Sequence, residues 1–204
     1  MAKFEWLLFL AQLPATPSSL RVNVWRRLRL AGSTSLQNGV WILPRNPENT
    51  TFMERLLAYI KHSGASGQIF RVQELNQATQ EDLLRRFQAD RDQEYGEFLE
   101  QCQAFISEVE KETQVGKFTF AELEENEQNL GRLRKWMAKI QKRDFFQTQK
   151  SQEAVTTLQE CRQRLQAYTR LVYTQAGQIY TQEEAETLLE IDSLSDDANP
   201  RAKP

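Results

Sequence analysis

The sequence changes period part-way along, and that change constrains the fold more than any other feature. Over the first seventy-odd residues, short apolar runs of strand length alternate with stretches of helical spacing. From about residue 79 the pattern is helical only. Residues 4–13 form a near-continuous apolar run containing Phe4, Trp6 and Phe9, which predicts a strand buried on both faces. Thr16-Pro17 reads as an N-cap followed by proline at the first helical position. Leu20, Val24, Leu28 and Ala31 then give the inner stripe of a helix that Gly32 closes. Two short strand-like pieces, residues 33–36 and 40–43, flank Gln37-Asn38-Gly39. Asn-Gly fits a tight hairpin, and a glycine here equally fits a bulge within one bent strand. Pro44 ends this stretch.

Thr51-Phe-Met-Glu54 has capping-box spacing and introduces a second helix, with Phe52, Leu56, Leu57 and Ile60 on its apolar face and Gly64 and Gly67 at its end. Residues 68–75 alternate in the manner of an edge strand. The resulting order predicts an α+β fold: a ferredoxin-like βαββαβ domain over residues 1–76, one sheet carrying both helices on a single face. A helical region over 77–192 follows. Capping signals at Thr79, Thr119 and Ser151 introduce three long helices whose apolar residues recur at three- and four-residue spacing, as expected for an antiparallel hairpin or three-helix bundle. A short acidic helix is expected from Thr181 to Ile191, and residues 193–204 read as a disordered tail.

Charge divides along the same boundary. Residues 1–75 hold nine Lys/Arg against four acids, a net of +5, while the rest holds 17 against 24, a net of −7. The whole-chain charge of −2 hides this asymmetry. No apolar run is long enough for a membrane-spanning helix. The apolar start reads as a buried strand rather than a signal peptide, because Glu5 and the prolines at 14 and 17 interrupt it. Cys102 and Cys161 fall on apolar helical positions without metal-ligand spacing, and the sequence has one histidine, His62. No zinc arrangement and no Ser-His or Cys-His pair is available, so neither a metal nor a cofactor is expected and the chain does not read as an enzyme. Reduced cysteines fit a cytoplasmic protein.

The clusters that remain are charged. Glu122, Glu124, Glu125 and Glu127 point in several directions on one helix, as a solvated face would, and sit where the helix dipole favours acids. Arg132, Arg134, Lys135, Lys139, Lys142 and Arg143 are available to pair with those acids or with acids of the preceding helix. Arg21, Arg26, Arg27 and Arg29 are more suggestive, since residues 21–29 include no acid. Arg21, Trp25 and Arg29 share one strip, and Arg27 lies closest in angle to Leu20. These arginines suit phosphate contacts, or a plain solvated face with their stems packed on Trp25. Most of the four tryptophans sit in apolar patterns and read as core rather than as base-stacking platforms.

Several blocks then carry a family resemblance. Trp6-Leu-Leu-Phe-Leu-Ala-Gln-Leu-Pro14, Leu20-Arg-Val-Asn-Val-Trp-Arg-Arg-Leu28 and Gln37-Asn-Gly-Val-Trp-Ile-Leu-Pro44 resemble the N-terminal domain of ChrB, the chromate-resistance regulator. So do Arg91-Asp-Gln-Glu-Tyr95, the stretch from Gly116 to Asn126, and Arg143-Asp-Phe-Phe146, in the same order, covering roughly residues 4–175. The resemblance implies a cytoplasmic transcriptional regulator whose N-terminal part binds promoter DNA, with Arg21, Arg26 and Arg27 as the contacting residues. Full-length members carry a further C-terminal domain associated with the chromate response; this sequence is expected to lack it, and chromate sensing is not expected of it. The first seventy-five residues are more faintly similar to the ferredoxin-like domains of CRISPR spacer-acquisition proteins and phenylacetate-type repressors. The nucleases among them place an aspartate at the end of the first strand, where this sequence reads Ala11-Gln12-Leu13-Pro14. The alternative to a DNA-binding regulator is a protein-interaction module, a homodimer or a docking site for a partner helix, built on the heptad-patterned helices.

Overall fold

A computed structural model describes residues 5–16, 18–73 and 75–178. The expected acidic helix at Thr181 and the tail lie outside them. The elements run β1 (Trp6–Gln12), α1 (Ser19–Leu30), β2 (Thr34–Gln37), β3 (Val40–Pro44), α2 (Pro47–His62), β4 (Ser66–Val72), α3 (Gln77–Val115), α4 (Phe120–Lys142) and α5 (Gln149–Gln175). They fall into two compact units: Met1–Asp90 with Arg143–Phe146, and Arg91–Lys142 with the chain from Gln147 onward.

In the first unit the four strands lie in the order β2-β3-β1-β4, and every neighbouring pair is antiparallel. β1 sits inside the sheet because it is apolar on both faces. Leu7 and Phe9, opposite Leu43 and Trp41 of β3, bury one face against Leu20, Val24 and Leu28 of α1 and Met53, Leu56 and Ile60 of α2. Trp6 and Ile42 bury the other face against Leu83 and Phe87 from the first turns of α3. Phe146 completes that second layer, its ring centroid 5.9 Å from that of Trp6 and 5.4 Å from that of Phe87. Both strand-connecting helices therefore share one face, as expected. The aromatic cover on the opposite face, drawn from residues far along the chain, was not foreseen.

Asn38-Gly39 forms a hairpin turn between β2 and β3, and the pairing also shifts register between Ser35 and Gln37. The hairpin reading of the Asn-Gly signal is the one realised; the irregularity lies within β2, not at Gly39 in one bent strand. Gly39 adopts φ 77°, and a Cβ there would lie 2.6 Å from the Ala11 carbonyl oxygen; only glycine meets both demands. Gly32, at φ 78°, is held in the same way, since its Cβ would meet that of Arg143 at 2.6 Å.

Among the described residues, four of the five helix starts correct the expectation by two to five residues. α1 begins at Ser19 after Ser18, not at the Thr16-Pro17 signal, and Pro17 lies outside the described residues. α2 begins at Pro47, because Asn46 in extended backbone accepts from Asn49 N–H at 2.7 Å and proline occupies the first turn. Thr51 is inside the helix, its hydroxyl donating to the Pro47 carbonyl at 2.9 Å. Asn76 rather than Thr79 caps α3, accepting from Thr79 N–H at 2.9 Å, and Thr148 rather than Ser151 caps α5. Thr119 caps α4 where expected, accepting from Glu122 N–H. In α2, α3 and α5 a side-chain acceptor three residues upstream captures the N–H of a residue near the supposed start.

The second unit is a three-helix bundle. Phe98, Phe105 and Val109 of α3 pack with Leu130, Met137 and Ile140 of α4 and with Leu165, Tyr168 and Val172 of α5. The cysteines are small core residues, both buried, with the Cys161 thiol 3.6 Å from the Cys102 carbonyl oxygen. Contacts fix the helix directions. Asn126, early in α4, donates to Glu112 near the end of α3 at 2.7 Å, and Tyr168, late in α5, donates to the Lys117 carbonyl. Arg164 of α5 pairs with Glu110 of α3 at 2.9 Å. α4 therefore runs antiparallel to both neighbours. No helix among the described residues is long and apolar enough to cross a membrane.

A polar knot closes one end of this bundle. Burial pushes the Glu112 carboxyl up, as does a hydrogen bond shared with Glu122, against the lowering effect of the Asn126 amide. Lys117 holds Glu122 below the usual carboxylate range, and the bond from Glu112 acts in the same direction. The shared proton therefore belongs on Glu112. A raised folded-state value contributes stability below the ordinary glutamate pKa and loses it as pH rises through that raised value. Glu112→Gln keeps an acceptor for Asn126 and supplies a permanent N–H toward Glu122. We expect the variant's melting temperature to gain on the wild type, by a few degrees, as pH rises from the carboxylate range toward neutrality; parallel melting profiles would contradict the assignment.

Candidate nucleic-acid interface

α1 divides its side chains cleanly. Leu20, Val24 and Leu28 are buried, while Arg21, Val22, Trp25, Arg26, Arg29 and Leu30 are exposed. At 100° per residue the two sets occupy opposite halves of the helix, and Arg27, also exposed, sits at the edge of the buried stripe beside Leu20. The acid-free stretch leaves the outer half without an internal counter-charge, and Arg27 and Arg29 in the last turn suit the negative end of the helix dipole.

The three arginines singled out from the sequence differ in what they touch. Arg21 is exposed and forms no ion pair with any described residue. Arg26 is exposed and donates to the Asn23 side chain at 2.8 Å, a neutral partner that orients the guanidinium without cancelling its charge. Arg27 lies 4.1 Å over the ring centroid of Tyr59 on α2, which gives it a packing role between the two helices. Arg29 sits 4.0 Å from the Asp90 carboxylate and 5.8 Å from the Trp25 ring. Arg21 and Arg26 are thus left on the outer face, and Arg27 is partly engaged.

Trp25 departs from its sequence reading. Trp6 and Trp41 are buried and Trp136 is half-buried, edge-on to Phe98. Trp25 is 52% exposed among the arginines. Its position one turn from both Arg21 and Arg29, outside the Leu20-Val24-Leu28 stripe, is the sequence signal that could have found it.

The other charged clusters are divided between packed and solvated positions. Glu122 pairs with Lys117, and Glu127 is half-buried, its carboxyl pushed up by burial and then by Glu124. Only Glu124 and Glu125 form the expected solvated face. Among the described residues no group of three or more His, Cys, Asp or Glu side chains is placed to hold a metal ion. Within the second basic run, Arg132 donates to Asn129 one turn back, at 3.0 Å, rather than to an acid.

The architecture and this face define the class first: an α+β protein, a four-stranded antiparallel sheet followed by long helices, displaying a basic outer helix face. The family model described as Protein ChrB, N-terminal, matches residues 21–179, and the chain belongs to that family. A curated relative, Protein ChrB of Cupriavidus metallidurans (strain CH34), is 27% identical over 94 residues. That stretch is 46% of this chain and spans 28% of the relative's length. No solved structure matches.

An exposed cation–π contact is worth about 0.5–1 kcal/mol, and an exposed arginine without structural partners falls within about 0.5 kcal/mol of neutral. Urea denaturation should therefore show Arg27→Ala less stable than the wild type by that cation–π amount, and Arg21→Ala and Arg26→Ala close to it. Equal losses at all three would mean that Arg21 and Arg26 also serve the fold.

Proposed function

We propose that this protein is a DNA-binding transcriptional regulator, in which α1 of the basic first unit contacts duplex phosphates through Arg21 and Arg26, with Arg27 as a flanking contact. The single observation that carries this reading is the outer face of α1, where Arg21 and Arg26 stand exposed without a carboxylate partner among the described residues. Membership of the ChrB N-terminal family supports it, and we extend the proposal to a role in chromate resistance, with promoter DNA of a chromate-efflux operon as the target. We read the protein as cytoplasmic and non-enzymatic. The same proposal takes the first unit to be ferredoxin-like, on the support of its βαββαβ order and the strand order β2-β3-β1-β4.

A module that docks partner helices finds less support. The heptad-spaced apolar residues of α3, α4 and α5 are buried against one another within the bundle, so the stripe expected to recruit a partner is already occupied.

Phosphate contacts release counterions, so affinity falls with salt at roughly 0.9 in the log–log slope per contact. Fluorescence anisotropy with the native upstream duplex should show binding at low salt that weakens steeply as salt rises. The Arg21→Ala/Arg26→Ala double variant should bind at least about tenfold more weakly, with a slope shallower by about two. Absence of binding at low salt, or a double variant indistinguishable from the wild type, would remove the proposal.

A further inference from the structure

We propose that Trp25 is the base-contacting residue of this face: as α1 rests on the duplex, the indole enters the groove and contacts base edges while the arginines around it hold the phosphates. This inference rests on the DNA-binding reading above and adds a residue with a different kind of contact.

The argument starts from a cost. Trp25 is 52% exposed, and Val22 and Leu30 on the same face are 56% and 65% exposed. None of them is needed to bury the inner side of α1, which Leu20, Val24 and Leu28 already fill. A helix serving only as a phosphate clamp needs cations and no apolar ring. Here the largest apolar side chain stands one turn from Arg21 and one turn from Arg29, with Arg26 beside it. The Arg29 guanidinium, 5.8 Å from the ring centroid, flanks the indole.

Charge decides what such a face can receive. Arg21, Arg26 and Arg29 surround the ring and α1 itself has no acid; Arg29 is shared with Asp90, which leaves Arg21 and Arg26 to draw a polyanion that also offers apolar or π surface within a few ångströms of its charges. Duplex DNA has both, and its major groove is wide enough for an α-helix, with thymine methyls and base edges on its floor. An acidic protein surface would match the arginines but would place solvated carboxylates opposite the ring. Contacts to phosphate position a protein, whereas contacts to bases specify sequence. The two kinds of residue should therefore separate experimentally.

The experiment uses the intact chain, with Trp25→Ala and Trp25→Phe, titrated against the upstream duplex across a salt series, together with acrylamide quenching of tryptophan emission. We expect Trp25→Ala to bind about tenfold more weakly, as loss of one good base contact implies, with the wild-type salt slope and an unchanged thermal melt. Trp25→Phe should retain most of the affinity. In the wild type, DNA should shield the quenchable fraction of emission; in Trp25→Phe that fraction should be small from the outset. Wild-type affinity in Trp25→Ala, while the Arg21/Arg26 double variant loses binding, would overturn this inference and leave the DNA-binding reading standing. A shallower salt slope in Trp25→Ala would also overturn it, by placing the effect at the phosphates. No binding by the wild type would remove both.

Discussion

Burial of β1 on both faces is the constraint on which the first unit depends. Leu7 and Phe9 point into the layer formed by α1 and α2, and Trp6 points into the aromatic layer of Phe87, Phe145 and Phe146. Hydrophobic burial is worth about 25 cal/mol per Å², and the three largest of these β1 side chains are essentially inaccessible to water. Removing either layer would expose them. With the strand fixed, its neighbours have little freedom: β3 and β4 pair on its two sides, and the helices must lay their apolar stripes on the Leu7/Phe9 face.

That arrangement also determines which surface α1 offers. The Leu20-Val24-Leu28 stripe is committed to the sheet, so the arginines of the same helix can only face outward or sideways. Sideways means Arg27 against Tyr59; outward means Arg21 and Arg26. The basic face is thus a consequence of the core. It also explains why the arginines differ in character although they lie within one short stretch.

Much of this was legible in the sequence because period and burial are tied by elementary geometry. The four strands, the five helices and the α1 stripe follow from apolar spacing, and Asn38-Gly39 marks the hairpin. Helix starts were less legible. Several residues able to cap lie close together, and in α2 and α5 the winner is the one whose backbone is extended, Asn46 over Thr51 and Thr148 over Ser151. The aromatic layer over Trp6 could not be read at all, since local spacing does not say that Phe145 and Phe146 will meet Phe87. In the candidate interface the exposed arginines were visible as an acid-free run. The Arg27–Tyr59 contact was not, because it joins two helices, and Trp25 was obscured by grouping it with tryptophans that do enter the core.

The central claim is that the outer face of α1 is where this protein meets DNA. Side-chain NMR of the arginine Nε–H and tryptophan Nε1–H groups, followed during titration with the upstream duplex at low salt, tests that claim at the level of individual residues. We expect the signals of Arg21, Trp25 and Arg26 to shift together, those of the buried Trp6 and Trp41 to stay in place, and the shifts to disappear as salt is raised. Shifts confined to the helices of the second unit, with the α1 signals unmoved, would contradict it.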